Sequence, residues 1–203
     1  MPGMSGHQRY TVPVDVHLIL RRESGAGTEV LVSRRAGAVY AAGLWHLPSG
    51  HLDGPHEDMA DALIREAREE TGVAVRRADV RGAVTVHHRA PGGDARVGFF
   101  FEVRRWAGEP RLMEPHVCDA MAWARLDALP APMVAYCRAG LDAYRAGEHL
   151  AVHFQRPDDP IAHDATAVRL RVLPGVDPRR PGGLRQGARR AGPPHPLETH
   201  REQ

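Results

Sequence analysis

The chain contains no lysine and no asparagine, and all 27 residues of the Lys+Arg class are arginine. With 21 glycines and 17 prolines beside abundant alanine, that bias reads as the imprint of a GC-rich genome rather than a functional choice. A formal net charge of +2 is too small to argue for nucleic-acid binding. Two cysteines, Cys118 and Cys137, exclude a disulfide framework. Aromatic residues make up only 5% of the chain, so few rings are available to stack on a ligand. No apolar run reaches the roughly 18 residues of a membrane span, and the N-terminus lacks a basic-then-apolar signal. A reduced, cytoplasmic protein with no membrane partner is the expectation. At 203 residues the chain suits one domain of ordinary size.

What the sequence does have is concentrated between Gly50 and Val73. A glycine-rich loop runs into a helix expected over Asp58–Thr71, with Gly72 as its left-handed stop. On an ideal wheel turning about 100° per residue, Ala60, Leu63, Ile64, Ala67 and Thr71 form a core-facing stripe. With Ala60 as zero, Glu66, Glu69 and Glu70 fall at about 240°, 180° and 280°, on the other side, with Arg65 at about 140°. Glu66 and Glu70, and Glu66 and Glu69, are like-charge neighbours that each cost a few tenths of a kcal/mol in an isolated helix. Acids in the last turn also oppose the helix dipole. Arg65 and Arg68 offset part of this. The arrangement makes sense if the carboxylates converge on hard divalent cations, which prefer oxygen ligands and keep sites for water and phosphate.

These residues resemble the Nudix box: Gly, five residues, Glu, seven residues, then Arg-Glu-apolar-any-Glu-Glu-any-Gly-apolar. From Glu57 onward the fit is complete, through Arg65, Glu66, Ala67, Arg68, Glu69, Glu70, Thr71, Gly72 and Val73. The first part departs from it. Six residues, His51 to His56, separate Gly50 from Glu57, and Pro55-His56 stands where one glycine is usual. The resemblance implies an α/β/α sandwich on a mixed sheet. It also implies hydrolysis of a nucleoside diphosphate linked to another group, dependent on Mg²⁺ or Mn²⁺. Carried over, Glu66, Glu69 and Glu70 are metal ligands, and Glu66 or Glu69 can double as base. Arg65 orients the carboxylates. Glu57 assists a second metal or ties the loop to the helix, although an acid there also suits a helix N-terminus. Gly50 is a candidate main-chain ligand. A base from outside the box is sought in the stretch Glu114-Pro-His-Val-Cys118, where Glu114 is the first candidate and Asp119 the second.

Along the rest of the chain, strands are expected over Val12–Arg22, Glu29–Arg35, Val75–His88, Val97–Arg105 and Ala120–Leu126. A helix is expected over Ala131–Ala146, with an edge strand over His149–Gln155. Domain boundaries follow: a flexible 1–10, a catalytic domain over 11–156, and a largely disordered Pro/Gly/Arg-rich tail over 157–203.

Tyr40, Trp45 and His51 are the candidate substrate contacts, with His46 and His56 crowding the same loop. Phe99, Phe101 and Trp106 are further candidates to stack on a base, although most of these rings read as core, and one of His87 and His88 should face inward. The compact domain favours a house-cleaning nucleoside triphosphate pyrophosphohydrolase acting on a small nucleotide as monomer or homodimer. An ADP-ribose or other nucleotide-sugar pyrophosphatase is the alternative. Outside catalysis, a nucleotide-sensing module is opposed by the complete set of glutamates. An isomerase on the same fold is opposed by the lack of context around Cys118.

Overall fold

The computed structural model describes residues 10–175. Except for Tyr10, the expected N-terminal extension lies outside the described residues, as does the tail from residue 176. The elements in chain order are β1 (Val14–Ser24), β2 (Gly27–Arg35), β3 (Trp45–His46), β4 (Ser49–His51), α1 (Met59–Thr71), β5 (Val80–Arg89), β6 (Ala95–Val103), β7 (Cys118–Arg125), α2 (Ala135–Arg145), β8 (Leu150–Phe154) and β9 (Leu170–Val172). They build a mixed sheet in the order β3-β2-β1-β6-β5-β8-β9, with β4 also on β1 and β7 on β2. β1 runs parallel to β6, and β5 runs parallel to β8. No helix among the described residues is long and apolar enough to cross a membrane.

The period of two in β1 divides the molecule into layers. Val16, Leu18 and Leu20 face one way and are buried with Ala62, Leu63 and Ala67 of α1. Ile19 faces the other way and is buried with Cys137, Leu141 and Ala143 of α2. Burial of each large aliphatic side chain stabilises the fold by about 1.5–3 kcal/mol, which fixes α1 on one face and α2 on the other. The result is the α/β/α sandwich.

α1 starts and stops where the sequence implies. Asp58 is its N-cap, accepting from the Ala60 and Asp61 amides, and Gly72 closes it at φ 72°. The buried stripe is Ala62, Leu63, Ala67 and Thr71, shifted slightly from the ideal wheel, with Ala60 only half-buried. The extra loop residue is absorbed in the turn Gly54–Glu57, where the Glu57 amide donates to the Gly54 carbonyl at 3.4 Å.

Three segments differ from expectation. A 3₁₀ turn at Arg77–Asp79 delays the strand expected from Val75, because Asp79 is gripped by Arg76 and Arg105. The second helix begins at Ala135 rather than Ala131. Residues 132–134 are drawn into pairing with Trp45, whose amide donates to Pro132 and whose carbonyl accepts from Val134. The expected disorder from residue 157 is corrected over 157–175. Ala135 donates to the Ile161 carbonyl, His163 donates to the Met133 carbonyl, Arg169 pairs with Asp159, and β9 pairs with β8. Composition missed this segment because main-chain bonds and an ion pair hold it, with little apolar burial.

Candidate active site

Arg65 is the hub of the polar face of α1. Its guanidinium donates to Glu57 Oε1 at 2.9 Å and Oε2 at 3.1 Å, to Glu66 Oε1 at 2.7 Å, to Glu69 Oε2 at 3.1 Å and to the His51 carbonyl at 2.8 Å. The planar fork of arginine allows this; the point charge of lysine could not match it. Glu57 also accepts from the Asp53 amide at 2.7 Å, so it ties the lengthened loop to the helix.

The three box glutamates sit in different surroundings. Glu69 is about half exposed and borders an outer groove with Arg68 and Arg111. Glu66 turns inward, and its carboxylate lies so close to the main chain of Gly50 that any side chain at that position would displace it. Burial raises the Glu66 pKa against the opposing pull of Arg65. Glu70 goes furthest in. Burial pushes its carboxyl up to about 8, opposed by the hydrogen bond from the Ser49 amide at 3.0 Å and reinforced by Glu66 and Glu114. Among the described residues, no three carboxylate, imidazole or thiol groups close around a ready-made ion site. Arg65 holds Glu66 and Glu69 instead.

Glu70, Ser49 and Gly50 form one wall of a cavity of about 420 Å³, within the range of small-molecule sites. Of the expected substrate contacts, His51 and Tyr40 line this cavity and Trp45 does not. Trp45 packs on the core beneath Arg34, 5.8 Å from its ring centroid. His46 reaches the cavity but is buried, and burial lowers its pKa to about 3, so it offers a neutral imidazole. His56 lies exposed in the turn. Glu114 stands near Glu70 and Cys118, raising the pKa of both, whereas Asp119 is engaged by Arg34 at 2.7 and 3.1 Å.

The remaining lining was not anticipated. Asp15 and His17 come from β1, Arg96 from β6, and Tyr136 from α2. A signal for the first two existed. In Val14-Asp-Val-His-Leu18 two polar residues alternate with apolar ones, so both lie on one face of a strand that is otherwise core. His88 does face inward, stacked on Tyr136 at 4.3 Å. Phe101 and Trp106 join the α1-side core.

Comparison with known proteins agrees with this arrangement. The family model of the NUDIX domain matches residues 11–143. An RNA pyrophosphohydrolase of Erythrobacter litoralis (strain HTCC2594) is 40% identical over 72 residues, covering 32% of this chain and 42% of that protein. The chain thus spans less than half the length of this relative. A MutT NUDIX hydrolase from Burkholderia pseudomallei superposes with a TM-score of 0.58 at 29% identity, over 66% of this chain and 98% of that one. The NUDIX domain of Shewanella oneidensis NrtR, solved with ADP ribose, superposes at 0.57 with 19% identity, over 68% and 89%. At that identity it shows the shared fold alone. With the family model spanning well over half its length, a continuous Arg65-to-Gly72 box and the sandwich to carry it, the chain belongs to the NUDIX family.

Proposed function

We propose that this NUDIX domain is a divalent-metal-dependent pyrophosphohydrolase acting on a nucleoside triphosphate. The observation that carries the reading is Glu70. It is a partly buried carboxylate in the wall of the cavity whose one hydrogen bond among the described residues comes from the Ser49 amide. A carboxylate withdrawn from water with so little compensation is costly unless a cation joins it. The oxygen donors of the same loop and helix, Glu57, Glu66, Glu69 and the main chain of Gly50, are of the kind a hard ion prefers, and the carboxylates would have to turn from Arg65 toward it. Bound Mg²⁺ or Mn²⁺ would supply Lewis-acid neutralisation of charge on the diphosphate.

The chain's own residues do the rest. Arg65 holds Glu57, Glu66 and Glu69 in one frame, so that they need not reorganise when substrate arrives. Glu114, close to Glu70, takes the proton of the attacking water. Asp119 is less suited, because Arg34 occupies both of its oxygens. His51 at the rim contacts phosphate, and the exposed ring of Tyr40 offers a face to the nucleoside. The partial relative named as an RNA pyrophosphohydrolase supports the reaction class. The cytoplasm is the proposed compartment.

Product mapping over nucleoside triphosphates, dinucleotides and nucleotide sugars with Mg²⁺ and Mn²⁺ tests this. The expected result is a nucleoside monophosphate plus pyrophosphate from triphosphates, lost in Glu69→Gln. Equal turnover by wild type and Glu69→Gln on every substrate would sink the hydrolase reading. Turnover confined to ADP-ribose or another nucleotide sugar would move the substrate class.

A further inference from the structure

Along the outer side of α1 runs a groove of about 790 Å³, between the helix stripe Asp61, Arg65, Arg68 and Gly72 and the loop residues Arg111 and Met113. Its acids are engaged: Arg77 holds Asp61 at 2.6 Å and Arg65 holds Glu69 at 3.1 Å. Two of its guanidiniums are not. Arg68 and Arg111 are exposed, and among the described residues neither pairs with a carboxylate; Arg111 Nε meets only the Met113 sulfur, at 3.2 Å. Cations often gather at a helix C-terminus to satisfy its carbonyls. Here main-chain amides already do so: Gly72, Met113 and Arg111 donate to the carbonyls of Arg68, Glu70 and Thr71 at 3.0, 3.3 and 3.0 Å. The two guanidiniums are therefore left for an anion that the protein does not supply.

The groove and the cavity are divided by one ridge of carboxylates. Round the helix axis, Glu70, Glu66 and Glu69 lie at about 280°, 240° and 180°, followed by Arg68 at about 80°. Glu70 lines the cavity and Glu69 lines the groove. A phosphate chain that crosses the carboxylates from the cavity emerges on the side of Arg68. Arg111 stands at the same end. A Cβ at Gly72 would lie 3.3 Å from Arg111 Nε and 3.2 Å from Met113 Sδ, so the loop rests directly on the helix end. Gly72 follows Arg68 by four residues and shares its face, which makes Arg68 and Arg111 neighbours.

Resting on the pyrophosphohydrolase reading above, we propose that Arg68 and Arg111 form a subsite for the diphosphate end of the substrate, which makes a nucleoside triphosphate a better substrate than a nucleotide sugar. In the reaction, water adds across the bridge between the α and β phosphates. One P–O bond forms and one P–O bond of that bridge breaks, giving a nucleoside monophosphate and inorganic diphosphate, with the water proton passing to Glu114. The β and γ phosphates are the part that lies beyond the carboxylates. Guanidinium pairs with two phosphate oxygens at once, and two such groups from different elements can share a diphosphate. Arg65 cannot serve there, because Glu57, Glu66 and Glu69 already occupy it. A nucleotide sugar carries a neutral sugar where the triphosphate carries its γ phosphate, so it offers this subsite less charge.

Calorimetry with inorganic diphosphate in EDTA tests the groove apart from metal and turnover. Wild type should bind diphosphate, and Arg68→Gln and Arg111→Gln should each weaken it by at least about three-fold, the scale of one exposed charge contact. Both side chains are exposed, so neither change threatens the fold. AMP, which ends before the groove, should bind wild type and variants alike. With Mg²⁺, the ratio of kcat/KM for ATP to that for ADP-ribose should fall in both variants. Diphosphate binding that is absent or equal in all three proteins, an equal loss with AMP, or an unchanged kcat/KM ratio would overturn the subsite. Triphosphate turnover alongside that result would leave the hydrolase reading standing. Arginine-dependent diphosphate binding without turnover of any triphosphate would instead uphold the subsite and remove the hydrolase reading.

Discussion

The two walls of the cavity solve the problem of polar groups in opposite ways. On the α1 side the chemistry is ionic and mutually engaged: one guanidinium binds three carboxylates, and Asp58 and Asp61 at the helix start are engaged by Arg77. On the floor it is packed and mostly uncharged: Asp15 meets Arg96 at 3.3 Å and His51 at 3.0 Å, while His17, His46 and His88 are buried and held uncharged. The first wall can rearrange cheaply, since exchanging one ion for another near solvent costs little. The second cannot, because it is fixed by stacking and burial.

Acid should break the comparison most strongly, through the floor. Burial depresses the pKa of His17, His46 and His88 to about 3 each, so between about 6.5 and 3 the unfolded chain binds protons that the native state refuses. Stability is therefore full above the unfolded pKa and falls as pH drops below about 6.5, by up to several kcal/mol for the three together. Denaturant midpoints measured from pH 7 to pH 4 check this; a flat profile would mean that the rings are hydrated.

Glu70 works in the other direction. Burial raises its carboxyl to about 8, so the metal-free native state holds a proton that the unfolded chain releases near 4.5. Its contribution is present below about 4.5 and is lost as pH rises toward 8, a change on the order of a few kcal/mol. In EDTA, Glu70→Gln should flatten that alkaline limb and leave the acid limb of the histidines untouched. An unchanged alkaline limb would show that Glu70 is solvated.

How much of this was legible in the sequence differs between the two walls, for a physical reason. The α1 wall is local: Glu57 to Gly72 lie within one loop and one helix, so helical geometry alone places Arg65 among its glutamates. The burial of Glu70 was not legible, because it depends on β4, which approaches only through pairing with β1. The floor is assembled from β1, β6 and α2, and no local period reports which residues meet across a sheet. Asp15 and His17 showed as polar interruptions in an apolar strand, while Tyr136 looked like any helix aromatic. Trp45 illustrates the converse. Its position near the box suggested a substrate contact, yet β3 turns it into the core under Arg34.

Returning to the ionic wall, Arg65→Lys separates charge from geometry. Lysine keeps the positive charge but cannot reach Glu57, Glu66 and Glu69 at once, so the carboxylates lose their common frame. Metal affinity and kcat/KM should fall by about 10–100-fold, the usual cost of losing a group that orients ligands. The acid limb of stability set by the buried histidines should not change, since the floor does not depend on Arg65. Steady-state kinetics with Mg²⁺ titration beside denaturant midpoints from pH 7 to pH 4 would show the split, and changes in both would mean that the walls are coupled.

The smallest effect is expected at the start of α1. Asp58 caps the helix by accepting from the Ala60 amide at 2.9 Å and the Asp61 amide at 3.1 Å, and it pairs with Arg77 across the surface. Asp58→Ala frees two helix amides, but these are exposed and water can take them. The melting temperature should drop by only a few degrees, as for an ordinary cap in a domain of this size. Activity at 25 °C should stay close to wild type, because the cap lies two turns from Arg65 and Glu66. If instead kcat fell with the cap, the position of the carboxylates would depend on the helix start as well as on Arg65. The ionic wall would then be less adaptable than its exposure suggests.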